Sequence, residues 1–334
     1  MTKPKIEKFM LSYEKFISGG KSLSTVAIVG SLNIDLVIRA PHCPKKGETI
    51  TGGPFGMAGG GKGSNQALEV ARLNARSHMI GCVGDDDFGR KLRAVLTENG
   101  VDCSHLQTRK ELATGTAVIT VTDEGENSIV VAQGANSLLD EKAINNAKKI
   151  FESSDSALFQ MESPQGTVAA GLKLARQTGC KTFLSAEPPY SLPDDSWKNI
   201  DYLILNEKAL SFYSGSKNHK SSIDSMAHEI LEKGVKYLVV TQSSKGGMIF
   251  EKDGDSFSFD AFNIRSVDNT GARDAFCAGF CVLLGEGAPI RRAARFGSAC
   301  GALACTKIGA HPSLPWRHQV GALLGEASGD DYEL

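Results

Sequence analysis

Val26-Ala27-Ile28-Val29-Gly30-Ser31-Leu32-Asn33-Ile34-Asp35-Leu36 begins as a continuous apolar run and, past Gly30-Ser31, turns into strict alternation. A short apolar run ended by glycine reads as a strand buried on both faces, the mark of a parallel sheet. In the alternating part Asn33 and Asp35 share one face, and Leu32, Ile34 and Leu36 share the other. An amide and a carboxylate so paired can bind adjacent hydroxyls of a polyol, and they stand near a strand's C-terminal end, where open α/β sheets take ligands. The same pattern also describes an ordinary solvated strand face.

Working outward, apolar runs recur at Met79–Val83, Ala157–Met161, Thr182–Ser185, Tyr202–Leu205 and Tyr237–Thr241. Helical patterns lie between them at Asn65–Leu73, Phe88–Glu98, Glu141–Phe151, Thr167–Arg176 and Ile223–Leu231. This alternation predicts an α/β fold with a central, mostly parallel sheet flanked by helices. Leu32–Phe55 and Thr116–Val131 break the rhythm and read as antiparallel strand pairs, the second turning at Asp123-Glu124-Gly125-Glu126. They predict a small β-sheet lid, its strands within residues 32–58 and 113–132.

The 334 residues, 41% hydrophobic and 22% charged, suffice for a large core, and the expected division is one α/β domain over 24–325 with a tail at 326–334. Before it, residues 1–23 form an extension with Ile6, Phe9, Met10, Tyr13, Phe16 and Ile17 at helical spacing. It lacks arginine and carries Glu7 and Glu14, which argues against an organellar transit peptide, although import stays open. A net charge of −1 supplies no bulk attraction to nucleic acid or membrane, and no apolar run has the length of a membrane span. Eight cysteines without CxxC or zinc-type spacing read as reduced thiols, so the expected location is cytoplasmic.

Two loops carry the chemistry. Asp268-Asn269-Thr270-Gly271-Ala272-Arg273-Asp274-Ala275-Phe276 sets small residues and two carboxylates at a helix start, where free N–H groups can hold a phosphate oxygen and Asp274 can receive a proton. A carboxylate in that position is favoured as an anion, which makes it a weak base; its bland role is a helix cap. Gly59-Gly60-Gly61-Lys62-Gly63-Ser64-Asn65-Gln66-Ala67 opens another helix. Gly56, Gly61 and Lys62 have Walker A spacing, but Gly63 stands where a hydroxyl must reach Mg²⁺, so the P-loop reading fails. The glycines let backbone approach a ligand, with Lys62 and Asn65 as donors; a loop merely capped by Ser64 or Asn65 is the alternative.

Together with Gly30 to Asp35 and Gly81-Cys82-Val83-Gly84-Asp85-Asp86-Asp87-Phe88-Gly89, these loops occur in the order of the PfkB carbohydrate kinases, which the chain resembles from Ser24 to Leu324. Lys62, Asn65-Gln66, Glu162-Ser163-Pro164 and the run from Gly309 to Arg317 are similar to the ribokinases within that family. The resemblance implies ATP-dependent phosphorylation of the 5-hydroxyl of D-ribose to D-ribose 5-phosphate and ADP, with Asp274 as base. It implies an anion hole of the Gly271, Ala272, Arg273 and Asp274 amides, which the ATP phosphates would share. Asn33, Asp35, Gly60, Gly61, Lys62, Asn65 and Glu162 would hold sugar beside Asp274. Asn206, Thr241, Gln242, Ser243, Ser244, Lys245, Gly246 and Ser298 would hold ATP. K⁺ would sit on the Asp268 side chain, the backbone oxygens of Thr270, Cys305, Ile308 and Ala310, and the Ser313 hydroxyl. Mg²⁺ would come with the nucleotide, and the lids would pair in a homodimer.

The sequence departs from the family at three places. Arg273 replaces a glycine, which would strain the backbone or block the site if positive φ or close approach is needed there, unless the guanidinium turns outward or contacts phosphate. Ala209 replaces the glutamate of an Asn-x-x-Glu element starting at Asn206, and Ser243 replaces a glycine over the nucleotide. Three readings follow: an active ribokinase, a weak or silent relative acting as a sugar- or nucleotide-binding regulator, and a kinase for another pentose or a nucleoside.

Overall fold

A computed structural model describes residues 23–124, 126–215 and 221–327. The amphipathic extension and most of the C-terminal tail lie outside the described residues. The quoted run forms β1 (Thr25–Val29), every residue of it buried. Val26 and Ile28 belong to one apolar layer and Ala27 and Val29 to the other, as a strand covered on both faces requires. β1 lies between β4 (Arg76–Gly84) and β9 (Ser156–Gln160), parallel to both. Beyond β9 the sheet continues in parallel through β10 (Lys181–Ser185), β11 (Tyr202–Asn206) and β12 (Tyr237–Thr241). The predicted runs therefore all become central strands. On one side they are covered by the helices Ala272–Gly285 and Ile290–Ala304, on the other by helices that include Gln165–Gln177 and Ile223–Leu231.

Four short strands were not anticipated. β13 (Gly247–Glu251) and β14 (Ser256–Phe259) add an antiparallel edge, and the short β5 (Val101–Asp102) and β6 (Leu106–Arg109) pair with β4. The helix expected over Glu141–Phe151 divides at Ala147 into Glu141–Asn146 and Lys148–Glu152, just after the weak helix formers Asn145 and Asn146.

The lid is a separate sheet ordered β3 (Phe55–Gly60), β2 (Asn33–Ala40), β7 (Gly115–Thr122), β8 (Asn127–Ala132). Both expected antiparallel pairs form, and β3 runs on to Gly60, past the expected boundary at 58. The pairs are joined by β2 and β7, which run parallel. A hairpin reading cannot show that junction, because the partners are 82 positions apart, as in the pairing of Asn33 with Gly115. The chain passes from β1 into β2 through Gly30–Leu32, so Asn33 and Asp35 enter the lid at the C-terminal edge of the main sheet. Among the described residues no helix is long and apolar enough to cross a membrane. All eight cysteines are free, and Cys82, Cys180, Cys277, Cys281 and Cys300 are buried.

Candidate active site

Gly271, at φ 80°, turns the chain into the helix Ala272–Gly285 and places Asp274 in its first turn. That left-handed φ favours glycine. The Asp274 carboxylate is buried and accepts from Asn65 Nδ2 at 2.8 Å and from Gln66 Nε2 at 2.9 Å, while Gln160 Nε2 donates to Gln66 Oε1 at 2.5 Å. Burial pushes the Asp274 carboxyl above the usual carboxylate range, outweighing the nearby Lys62 ammonium and the two amide donors. The helix start, which by itself favours the anion and makes a weak base, is thus joined by burial acting the opposite way, and a carboxyl held above the usual range accepts a proton more readily than an exposed aspartate.

The glycine-rich loop ends in the helix Lys62–Arg72, whose first turn lies against the end of β1. Lys62 Nζ pairs with Glu162 Oε1 at 2.8 Å, and Ser31 Oγ donates to Glu162 Oε2 at 2.6 Å. Burial opposes the charge on Glu162, but the Lys62 ammonium and these hydrogen bonds win and hold it below the usual range. Asp35 has no such partner. Burial, then repulsion from Glu162, raise it to about 7 against the pull of Lys62, with Asp274 adding to the rise. A side chain on Gly60 would collide with the Asp35 carboxylate, and Gly61, at φ 87°, would put a Cβ 2.7 Å from the Asn33 nitrogen. Here the absence of side chains is a steric requirement.

These groups face one cleft of about 980 Å³. Asn33, Asp35, Gly61, Lys62, Asn65 and Glu162 line it, as do Thr241, Ser243, Ser244, Gly246 and Ser298, and Gly271 to Asp274 border the same space. Ile119, Ile129 and Val131 of the lid complete the wall. Gly60 lies behind Asp35 instead of on the wall. Asn206, Gln242 and Lys245 are also not brought to it. Asn206 caps the helix Glu207–Ser214, its Oδ1 accepting from the Ala209 nitrogen at 2.7 Å, and Gln242 Nε2 donates to Glu207 Oε1 at 2.9 Å.

The loops expected to hold K⁺ converge. Asp268 Oδ1 accepts from the Thr270 nitrogen at 2.9 Å and its hydroxyl at 2.7 Å, and Oδ2 accepts from the Gly309 nitrogen at 2.8 Å. The Cys305 carbonyl accepts from the nitrogens of Val267 and Asp268, and Ser313 Oγ donates to the Ala310 carbonyl. Thr270 and Cys305 reach the cleft, whereas Ile308 is largely exposed to solvent. One carboxylate amid carbonyls and hydroxyls is a donor set that suits a weakly held monovalent cation.

With this geometry in hand, the comparison with known proteins is decisive: the pattern of pfkB family carbohydrate kinases matches residues 23–317. The chain belongs to the PfkB family of carbohydrate kinases. It is 35% identical over 305 residues to a ribokinase of Haemophilus influenzae, which covers 91% of this chain and 99% of the relative. A deoxyribokinase of Salmonella typhi is 28% identical over 301 residues, covering 90% and 98%. The structure of Arabidopsis thaliana ribokinase complexed with ribose and ATP superimposes with a TM-score of 0.84 at 29% identity, covering 91% and 99% of the two chains.

Two of the three family departures, Arg273 and Ser243, can be followed in the structure, and nothing in it explains Ala209. Arg273 lies inside the helix Ala272–Gly285, not among the positive-φ residues, so it adds no backbone strain, and its guanidinium pairs with Glu187. Ser243 keeps a left-handed φ of 53° without being glycine, at a cost of about 1–3 kcal/mol. Several residues of the site escaped the sequence reading. Asn136 accepts from the Leu32 nitrogen and donates to the Leu32 carbonyl and to Asn33 Oδ1 at 2.8 Å, fixing the amide that faces the cleft. His311 lies 2.6 Å from Ser64 Oγ and ties the Gly309 loop to the glycine-rich helix. Burial, aided by Arg72, lowers it to about 4 and keeps it neutral. Asn136 follows Gly134-Ala135 with no periodic signal, and its partners lie more than 100 positions away.

Proposed function

We propose that this enzyme transfers the γ-phosphoryl group of ATP to the 5-hydroxyl of D-ribose, giving D-ribose 5-phosphate and ADP. The observation that carries the reading is the buried Asp274 carboxylate, which borders a single cleft together with both the polyol-binding side chains and the Thr241–Gly246 loop. Asn33, Asp35, Lys62, Asn65 and Glu162 hold the sugar beside Gly61, and Gly60 leaves room for the Asp35 carboxylate. The hydroxyl oxygen forms its bond to the γ-phosphorus as the bridge to the β-phosphate breaks, and its proton passes to Asp274. Amides of Gly271 to Asp274 receive the charge on the moving phosphoryl group. Thr241, Ser243, Ser244, Gly246 and Ser298 face the nucleotide, and Asn206, Gln242 and Lys245 shape its loop from behind.

Mg²⁺ would come with the nucleotide, held mainly by phosphates and waters. Among the described residues there is no cluster of three or more His, Cys, Asp or Glu that could hold a metal ion. The Asp268 side chain, the backbone oxygens of Thr270, Cys305, Ile308 and Ala310 and the Ser313 hydroxyl would hold K⁺, whose charge would order the loop that leads to Gly271. A working unit of residues 24–325 pairs with a second copy through the lid, where Ile129, Val130 and Val131 of the edge strand β8 are exposed. Sedimentation over a range of concentrations checks the dimer, which a monomer at every concentration would refute.

The direct test is ADP release with ribose, 2-deoxyribose, fructose and adenosine as acceptors, with and without K⁺. Turnover is expected to be highest with ribose and to rise with K⁺. Preference for deoxyribose would move the assignment to that acceptor, and no turnover with any of them would leave a sugar-binding relative without kinase activity.

Asp35 gives a pH-dependent prediction. Sugar hydroxyls donate to its ionised form, so ribose binding releases a proton, and affinity should rise about tenfold per pH unit up to about 7 and then level off. Calorimetry in two buffers of different ionisation enthalpy would read the released proton, and Asp35→Asn should flatten the profile. In the sugar-free protein the same raised carboxyl lowers stability progressively as pH climbs from about 4 through about 7.

A further inference from the structure

Arg273 is the one side chain at the anion hole that carries a full positive charge on a fork of five donors. Its Nη1 pairs with Glu187, while its Nε is buried and has no hydrogen-bond partner. Glu187 is itself committed: it follows the end of β10, and its Oε1 accepts from the Asn206 nitrogen at 3.2 Å. A fixed loop carboxylate therefore holds a guanidinium whose donors are only partly used. The backbone of this same arginine lies between Ala272 and Asp274 on the cleft wall, so its side chain starts beside the space where a phosphoryl group must pass. An arginine so placed, one-third exposed, can change partner by rotating its side chain, with no movement of the helix.

We infer that Arg273 is a phosphate-binding side chain held in reserve by Glu187, and that a nucleoside triphosphate displaces the carboxylate and takes the guanidinium. The inference rests on the proposed kinase reading for the position of the phosphates. It makes Arg273 an internal counterpart of the arginines that other phosphoryl-transfer enzymes bring to the transferring group, where planar two-point contact stabilises spreading charge. Glu187 acts through Arg273 and is a positioning residue. It compensates the cation while phosphate is absent and competes with phosphate as it arrives, so it lowers triphosphate affinity.

The test compares Arg273→Ala, Arg273→Lys and Glu187→Gln with the native chain. Calorimetry measures binding of a non-hydrolysable ATP analogue and of AMP, and steady-state assays separate kcat from KM for ribose. Arg273→Ala should weaken the triphosphate analogue about tenfold or more, leave AMP and ribose affinity unchanged, and lower kcat by about 10²–10³-fold. Arg273→Lys should restore part of kcat, since it returns the charge without the fork. Glu187→Gln should tighten the analogue by about three- to tenfold without changing AMP binding, because the competing anion is gone. Equal losses for AMP and analogue, or a lowered melting temperature with native kcat, would make the pair a structural brace and overturn the inference. So would a Glu187→Gln protein with native or weakened analogue binding, whether or not the alanine variant folds. If the native chain phosphorylates no sugar but the analogue-to-AMP ratio moves as stated, the acceptor assignment fails and the role of Arg273 stands.

Discussion

Asp274→Asn should lower kcat for ribose phosphorylation by about 10³-fold while changing ribose affinity by only a fewfold. Asparagine has nearly the same shape but cannot accept the hydroxyl proton. It also offers one acceptor oxygen where aspartate offers two, so either Asn65 or Gln66 would face an amide donor instead of a carboxylate. Losing one such bond costs about 1–3 kcal/mol of local stability. A melting curve separates this modest loss from the catalytic one, and Asp274→Ala should abolish turnover as well. Because burial raises the Asp274 carboxyl, native kcat should fall on the acid side as this group takes up its proton. The residual rate of the asparagine variant should lack that limb. Native-like kcat in Asp274→Asn, measured at saturating ribose and ATP, would remove Asp274 as the base.

Arg317→Met should cost about 3–5 kcal/mol of folding free energy without touching the cleft. Arg317 is 4% and Glu286 2% exposed, and the guanidinium makes two 2.7 Å contacts to the carboxylate and a third, at 2.9 Å, to the Leu73 carbonyl. It thus ties the end of the helix Lys62–Arg72 to the turn that follows the Ala272–Gly285 helix. Methionine fills similar space but leaves a carboxylate buried without its partner. The melting temperature should drop by on the order of 10 °C. Adding Glu286→Leu should recover most of the loss, since two apolar residues leave no uncompensated charge. If the double variant were as unstable as the single one, packing and not desolvation would be the cause.

Both predictions draw on features that differ in how far they could be read in advance. Asp274 and the glycines around it announce themselves through local order: a small-residue loop before an apolar helix needs no distant partner to be recognised. The central strands were legible for a similar reason, since each is an apolar run with helical periodicity on either side. β13 and β14 were not, because each is only four or five residues long and no helical pattern separates them from β12 or from one another. The Arg317–Glu286 pair spans 31 positions and the Asn136–Asn33 contact 103, and no local pattern relates such residues. Arg273 is the sharpest case. Its place beside the catalytic candidate was visible, but the direction of its guanidinium depends on Glu187, which arrives from another strand end.

From the sequence alone came the fold class, the order of the central strands' apolar runs, the family resemblance and roughly half of the residues that line the cleft, because these depend on periodicity and on chemistry concentrated in short loops; Ala117, Asn127, Ser185, Phe259 and Phe262 on the same wall carry no such local signal. Tertiary structure alone decided the parallel junction of β2 with β7, the rise in the Asp35 and Asp274 carboxyls, and the partners of Arg273, Asn33 and Arg317. Those properties depend on which groups are desolvated together, and desolvation is set by neighbours that the chain brings from far away.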